Sequence, residues 1–158
     1  MIHVVWTVGH GDRSFADMEH LLADHDVATL VDVRSQPYSR RAPDFVRSAL
    51  DEYCRDASIH YRWMGASLGG RPTDPALMLA DGAPNLEAIA RSPGFQGGIE
   101  ELAAVARAST TVIMCAESDP SLCHRSTLIA PAIEERGFEV VHLLADGTWM
   151  RHQSTLPL

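Results

Sequence analysis

The most informative part of the sequence is Thr111-Val-Ile-Met-Cys115-Ala-Glu117-Ser-Asp-Pro-Ser-Leu-Cys123-His-Arg125-Ser126. It begins with a short β-branched and apolar run typical of a buried strand, passes through Asp-Pro, and then opens a helical pattern. In open α/β folds, ligands bind where strands end and the following helices begin. Two thiols, a carboxylate, an imidazole and a guanidinium share this connection. The sequence therefore predicts a functional site here.

Apolar runs alternate with helical patterns along the whole chain. Strands are predicted at residues 3–8, 28–33, 59–63, 111–115 and 138–143. Pro131 is expected to kink or divide the helix predicted from about residue 120 to 136. Residues 64–93, rich in Gly, Pro, Ala and Asp, are predicted to be a flexible insert. We predict one α/β domain over residues 1–158, with a Rossmann-like, three-layer, mainly parallel sheet of about five strands flanked by helices.

The bulk composition is that of an ordinary soluble globular protein. Apolar residues make up 46% and charged residues 22% of the 158 residues. No apolar run reaches the length of a membrane span, so we predict no membrane partner. Three widely spaced cysteines argue against a disulfide framework and favour a reducing compartment. We therefore predict a cytoplasmic protein.

The charge is unusual because all 13 basic residues are arginine. This excludes a Schiff-base lysine and the lysine of a phosphate-binding loop. Residues 34–71 carry seven arginines and four acidic residues, whereas the whole chain has a net charge of −8. A local basic zone on an acidic protein fits a confined anionic ligand better than a long nucleic-acid track. A small anionic ligand is the predicted partner, and nucleic acid is the alternative.

Candidate catalytic side chains lie at the predicted strand ends. Cys115 is either a nucleophile or a buried small hydrophobe, and Cys123 lies near a helix amino terminus, which lowers a thiol pKa. His10 suits acid–base work or loop capping. We predict as catalytic residues Cys115, Glu117, Cys123, His124 and His10. The spacing Cys-x7-Cys-His is not that of a zinc finger or ribbon, so no metal ligand is assigned and no cofactor is identified.

Candidate ligand-binding residues surround the same edge. Asp32 lies in an otherwise apolar strand, where an unpartnered carboxylate is costly. Arg34 either brackets Asp32 structurally or presents its fork to an anion. We predict as ligand-binding residues Asp32, Arg34, Arg40, Arg71, Arg125 and Ser126. Asp32, Arg34, Cys115, Glu117, Cys123 and Arg125 are expected to share one pocket, with Arg34 and Arg125 gripping an anion from two sides. This requires the second and fourth strands to be near neighbours.

Four motifs occur in a fixed order along nearly the whole chain: Thr7-Val-Gly-His10, Val31-Asp-Val-Arg34, Leu68-Gly-Gly-Arg71, and Cys115-Ala-Glu117 through Cys123-His-Arg125. Together they resemble the bacterial and archaeal family called domain of unknown function 488. The resemblance implies a compact α/β domain with these residues at one end of the sheet, and it implies no activity. A more distant analogy links the second and fourth motifs to rhodanese-like domains, although the cysteine loop here is longer and poor in glycine.

These observations favour an enzyme that acts on a small anionic ligand, such as a nucleotide or a phosphorylated or carboxylated metabolite, at the carboxyl edge of the sheet. Two alternatives stay open. One is a non-enzymatic nucleic-acid-binding module that uses residues 34–71. The other is a metal-binding or rhodanese-like thiol protein. Neither the reaction class nor the oligomeric state follows from the sequence.

Overall fold

A computed structural model describes residues 2–153, and six strands form one sheet within them. The strands are β1 His3–Gly9, β2 Thr29–Asp32, β3 His60–Trp63, β4 Thr111–Cys115, β5 Phe138–Leu143 and β6 Trp149–Arg151. Their order is β3-β2-β4-β1-β5-β6. The first five are parallel and β6 is antiparallel to β5. The α/β prediction is confirmed, with one strand more than the expected five.

Helices cover both faces of this sheet. They are α1 Phe15–Asp24, α2 Arg47–Asp56, α3 Gly65–Leu68, α4 Leu86–Arg91, α5 Pro93–Ala108 and α6 Ala130–Glu134. The core is divided accordingly. Met18 and Leu50 pack on what we call the α1/α2 face, while Ile99 and Ile133 pack on the α5/α6 face. Within residues 2–153 no helix is long and apolar enough to cross a membrane.

Strand β2 pairs with β4, as the predicted meeting of their ends requires. Because alternate side chains of a strand point to opposite faces, Leu30 and Asp32 belong to the α1/α2 face. On β4, Ile113 and Cys115 belong to the α5/α6 face. Both faces are buried, which is why these strands appear in the sequence as continuous apolar runs without a polar alternation.

The predicted insert, residues 64–93, contains more regular structure than its composition suggests. It holds α3, a 3₁₀ turn at Pro75–Leu77 and α4. Ile89 of α4 is buried against the α5/α6 core. The flexibility of this segment stays a prediction.

The helix predicted after β4 is divided into three pieces. A 3₁₀ turn covers Pro120–Leu122, a π-helical segment covers Arg125–Ile129, and α6 follows directly. Pro131 has no backbone N–H and cannot donate to the carbonyl one turn earlier. A wider π turn just before it accommodates that missing bond. The expected division at Pro131 is therefore present, and it sets the position of Arg125.

Candidate functional site

The predicted site residues form two groups on opposite faces of the sheet. Asp32 and Arg34 lie on the α1/α2 face, where Arg34 bonds the carbonyl oxygen of Phe45. Cys115 and Cys123 lie in the core of the α5/α6 face, and Arg125 bonds the sulfur of Cys115 there. The prediction of one shared pocket is therefore wrong. The ends of β2 and β4 are adjacent, but the side chains of each strand alternate between the two faces of the sheet.

Asp32 and Arg34 form a buried ion pair with two bonds. The Arg34 Nε and Nη2 atoms each donate to an Asp32 carboxylate oxygen at 2.8 Å, and Nη2 also donates to the Phe45 carbonyl oxygen at 2.7 Å. Tyr61 donates its hydroxyl to Asp32 at 2.6 Å, and burial beside this carboxylate raises the pKa of Tyr61. The pair is a bracket that holds the loop after β2 against the core.

His10 completes this structural group. Its ring stacks on Phe45 with centroids 4.8 Å apart, and Nδ1 donates to the Gly11 carbonyl oxygen at 2.8 Å. That tautomer leaves Nε2 to accept from Arg34 Nη1 at 3.3 Å. Burial, together with the charge of Arg34, lowers the pKa of His10. A neutral, buried His10 with these partners orders the loop after β1.

Arg125 is the centre of the second group and is completely buried. Its Nη1 donates to the Cys115 sulfur and to the Glu117 carbonyl oxygen, both at 2.6 Å, and Nη2 donates to the Ser118 carbonyl oxygen at 3.2 Å. Its Nε has no hydrogen-bond partner among the described residues. Burial lowers the pKa of Arg125 to about 10, so the guanidinium is still charged at neutral pH.

Cys115 and Cys123 are paired as a disulfide in the structure, with their Cα atoms 7.4 Å apart, and Cys54 is the free cysteine among the described residues. The backbone N–H of Arg125 also points at the Cys123 sulfur, at 3.5 Å. Three widely spaced cysteines had predicted no disulfide pairing, and the Cys115–Cys123 pair corrects this: the turn at Pro120–Leu122 brings Cys123 back to the end of β4.

His124 lies against Cys123. Its Nε2 donates to the Val33 carbonyl oxygen at 3.0 Å, and its Nδ1 is 3.6 Å from the Cys123 sulfur. Burial lowers the pKa of His124, so the ring is neutral near pH 7 and Nδ1 carries a lone pair. A Cβ on Gly70 would lie 2.9 Å from this ring, so the Leu68-Gly-Gly-Arg71 motif packs on His124 because it lacks side chains there.

Three predicted residues take other positions. The Glu117 side chain is exposed, and its carbonyl oxygen rather than its carboxylate contacts Arg125. Arg40 and Arg71 are exposed, and the backbone N–H of Arg71 donates to the Ser35 hydroxyl at 2.9 Å. The guanidinium groups of Arg40 and Arg71 therefore lie outside the buried thiol group.

His142 and His152, which were predicted to be structural, form a polar group with Ser126. His142 Nδ1 contacts the Thr7 hydroxyl at 2.6 Å, and its Nε2 lies 3.0 Å from His152 Nδ1 and 3.4 Å from the Ser126 hydroxyl. Burial lowers the pKa of His142 to about 4. The sequence does contain an indication of His142, because it is a histidine inside the apolar strand Phe138–Leu143.

A wide cleft of about 1490 Å³ opens beside this polar group. Its lining includes Ser118, Ser126 and His142, so one wall adjoins the buried Arg125. Among residues 2–153, no group of three or more His, Cys, Asp and Glu side chains is arranged to hold a metal ion.

Comparison with protein-family models matches residues 14–130 to the family described as domain of unknown function DUF488. The match covers more than half of the chain, and the chain belongs to this family. Neither the comparison with curated proteins nor the comparison with solved structures gave a match. The match confirms the resemblance to this family and spans the second, third and fourth motifs, whereas Thr7-Val-Gly-His10 precedes the matched residues. It adds no activity.

Proposed function

We propose that this member of the DUF488 family is a thiol-dependent enzyme of thiol–disulfide exchange. Cys115, held as a thiolate by Arg125, is the nucleophile, and Cys123 is the resolving thiol. The observation that carries the proposal is the placement of the fully buried Arg125 guanidinium against the sulfur of Cys115, which is itself paired with Cys123. This proposal keeps the prediction that the protein is an enzyme and develops the alternative prediction of a thiol protein.

The charge of Arg125 supports a thiolate at Cys115. An unpaired buried cation costs several kcal/mol, and within residues 2–153 no carboxylate lies at ion-pair distance from this guanidinium. Carbonyl oxygens supply only partial charge, and the carboxylates of Asp119 and Glu117 act on Arg125 from a distance. Once the Cys115–Cys123 pair is reduced, the Cys115 sulfur is the contacting group that can carry a full balancing charge. A neighbouring arginine lowers a thiol pKa well below the ordinary ~8.5. Cys115 is therefore expected to be ionised near neutral pH.

The Cys115 thiolate attacks one sulfur of a substrate disulfide, the substrate S–S bond breaks, and the leaving thiolate takes a proton from water. Cys123 loses its proton to His124 Nδ1 and attacks the Cys115 sulfur of the mixed disulfide. The bond between Cys115 and the substrate sulfur breaks, and the second substrate thiolate leaves with the proton from His124. The substrate gains two electrons and the protein is left with a Cys115–Cys123 disulfide. A small dithiol reductant returns the pair to its starting state.

This geometry does not support the hypotheses from the sequence equally. Arg34 donates to Asp32 and to a carbonyl oxygen, and Arg125 donates to sulfur, so neither offers an open fork to a small anion. The anionic ligand, the nucleic-acid module and the cytoplasmic location stay predictions. A reducing cytoplasm agrees with a pair that works as free thiols.

Alkylation of the reduced protein tests the proposal. The rate of reaction with iodoacetamide is measured from pH 5 to 10 in the wild type and in Cys115→Ser, Cys123→Ser and Cys54→Ser. We expect a fast thiol with an apparent pKa below ~8.5 that disappears in Cys115→Ser. Cys54→Ser is the matched control, because burial raises the pKa of Cys54 to about 12. A fast phase that survives in Cys115→Ser would contradict the assignment of the nucleophile.

The resolving role is tested with bis(2-hydroxyethyl) disulfide. Wild-type protein should lose two thiols and gain a Cys115–Cys123 link found by peptide mass mapping. Cys123→Ser should stop at a stable mixed disulfide on Cys115. If Cys123→Ser releases both substrate thiols at the wild-type rate, Cys123 has no resolving function.

A further inference from the structure

We propose that the cleft beside Arg125 is the substrate-binding site and that it selects disulfides bearing positive charge. This inference rests on the proposed function and adds to it the class of substrate. It follows from three features of the cleft: its contact with the thiol group, the sign of the charges that line it, and the character of its walls.

The cleft and the thiol pair share a wall. Ser118, which lines the cleft, accepts from Arg125 Nη2 at 3.2 Å through its carbonyl oxygen. Ser126, also in the lining, donates its backbone N–H to the Cys123 carbonyl oxygen at 3.0 Å. Ser118 and Arg125 thus form the layer between a molecule in the cleft and the Cys115 sulfur. Exposed residues 116–119 form part of that layer, so their displacement would open the path to Cys115.

The charges around the cleft are negative. Four carboxylates line it, from Asp119, Glu134, Glu135 and Asp146, and no arginine of residues 2–153 does so, in a chain without lysine. Hydrogen bonds from Ser121 and from Thr148 lower the pKa of Asp119 and Asp146, respectively, so both are ionised at neutral pH. His142 is neutral there because its pKa is lowered. Such a lining raises the local concentration of cations and repels anions.

The walls fit a small organic cation rather than a bare ion. Pro120, Pro131 and Met150 contribute apolar surface, and the hydroxyl-bearing Ser121 and Thr127 stand among them. Apolar walls with a few polar groups are the usual lining of small-molecule sites. An aliphatic disulfide with terminal ammonium groups would place its methylenes on this surface and its charges near the carboxylates.

Three disulfides of similar size separate the effect of charge from that of reactivity. They are cystamine, which is dicationic, bis(2-hydroxyethyl) disulfide, which is neutral, and 3,3′-dithiodipropionate, which is dianionic. Each is mixed with reduced full-length protein at pH 7 and low ionic strength, and the rate of protein thiol loss is measured. This rate is divided by the rate at which the same disulfide reacts with 2-mercaptoethanol under the same conditions. We expect the normalised rate to fall about tenfold at each step from cation to anion, and the differences to shrink in 0.5 M salt.

Paired variants assign the selectivity to the cleft. Glu134→Gln with Glu135→Gln removes two cleft charges and should narrow the cation preference. Glu19→Gln with Asp24→Asn removes two exposed charges from α1 on the opposite face and should leave the preference unchanged. A flat or reversed order of normalised rates in the wild type overturns this inference while the proposed function stands. If none of the three disulfides reacts faster with the protein than with 2-mercaptoethanol, both this inference and the proposed function are overturned.

Discussion

Two buried arginines of this chain differ in what balances their charge. Arg34 lies 2.8 Å from the Asp32 carboxylate, so its ion pair is complete within the fold. Arg125 has a sulfur atom and carbonyl oxygens as its partners. A buried cation that relies on a thiol couples stability to the ionisation of that thiol. The two residues should therefore respond differently to the same substitution.

Arg125→Lys should slow the chemistry and weaken the fold together. Lysine keeps the charge, but its ammonium group cannot reach the sulfur and two carbonyl oxygens in the geometry of the guanidinium. We expect the apparent pKa of the Cys115 thiol to rise toward ~8.5 and the free energy of unfolding to fall by about 3 kcal/mol. Alkylation rates against pH and urea unfolding measure the two effects. An unchanged alkylation profile would remove Arg125 as the counter-ion of Cys115.

Arg34→Lys should affect stability alone. The variant loses the two bonds to Asp32 that the guanidinium fork makes, in a site where both side chains are almost fully buried. We expect a loss of about 3 kcal/mol in the free energy of unfolding with no change in the alkylation profile. Alkylation rates and urea unfolding of Arg34→Lys are measured under the conditions used for Arg125→Lys. A shift in thiol pKa as large as that of Arg125→Lys would show that the two faces of the sheet act on one site.

The end of β1 supports the thiol site through a glycine. A Cβ built on Gly9 would lie 1.7 Å from the carbonyl oxygen of Glu117, and this oxygen accepts from Arg125. Close passage of β1 beneath the loop after β4 is therefore possible only without a side chain at this position. The strand and the loop meet at the backbone, so the site depends on the register of β1 with β4.

Gly9→Ala should displace the Glu117 carbonyl oxygen and disturb Arg125. We expect a loss of about 1–3 kcal/mol in the free energy of unfolding, as in other overpacked sites, together with a slower thiol. Gly97→Ala in α5 is the control, because nothing lies within 4 Å of its Cβ position and alanine favours a helix by about 1 kcal/mol. Urea unfolding and alkylation compare the two. Equal stability of Gly9→Ala and the wild type would contradict the close approach.

The strands were predictable to different degrees for physical reasons. Strands β4 and β5 were predicted with their observed bounds, because both are continuous apolar runs bounded by turns. Strand β6, Trp149–Arg151, was missed because its three residues are exposed and it exists only through pairing with β5. Short edge strands of this kind carry no periodic signal in the sequence.

The candidate site was predictable in its parts but not in its grouping. Residue types and the strand–loop–helix pattern located Cys115, Cys123 and Arg125 correctly at the carboxyl edge of the sheet. Which face each side chain takes depends on counting alternation along buried strands, where apolar residues on both sides hide the phase. The contact between the two sulfurs depends on a loop conformation, and no local pattern specifies it.

Two buried histidines, His10 and His142, and the half-buried His124 make the whole fold sensitive to acid. Burial lowers the pKa of His10, His124 and His142, and for His142 the value is about 4 against an ordinary 6.5. Below pH 6.5 the unfolded chain binds a proton at each of these positions before the folded protein does. The contribution of these histidines to the free energy of unfolding should therefore be fully present above about pH 6.5 and be lost as the pH drops toward 4.

His142→Gln should reduce this dependence on pH. From the lowered pKa, His142 alone is expected to remove about 2 kcal/mol of stability between pH 7.5 and pH 5, a change of pH that leaves most carboxylates ionised. Urea unfolding at these two pH values should therefore show a smaller difference in the variant than in the wild type. His60→Gln, at an exposed position of β3, is the control and should keep the wild-type difference. If His142→Gln and the wild type lose equal stability on acidification, the neutral form of His142 does not contribute to the folded state, and the hydrogen bonds that link it to Thr7 and His152 need another protonation state.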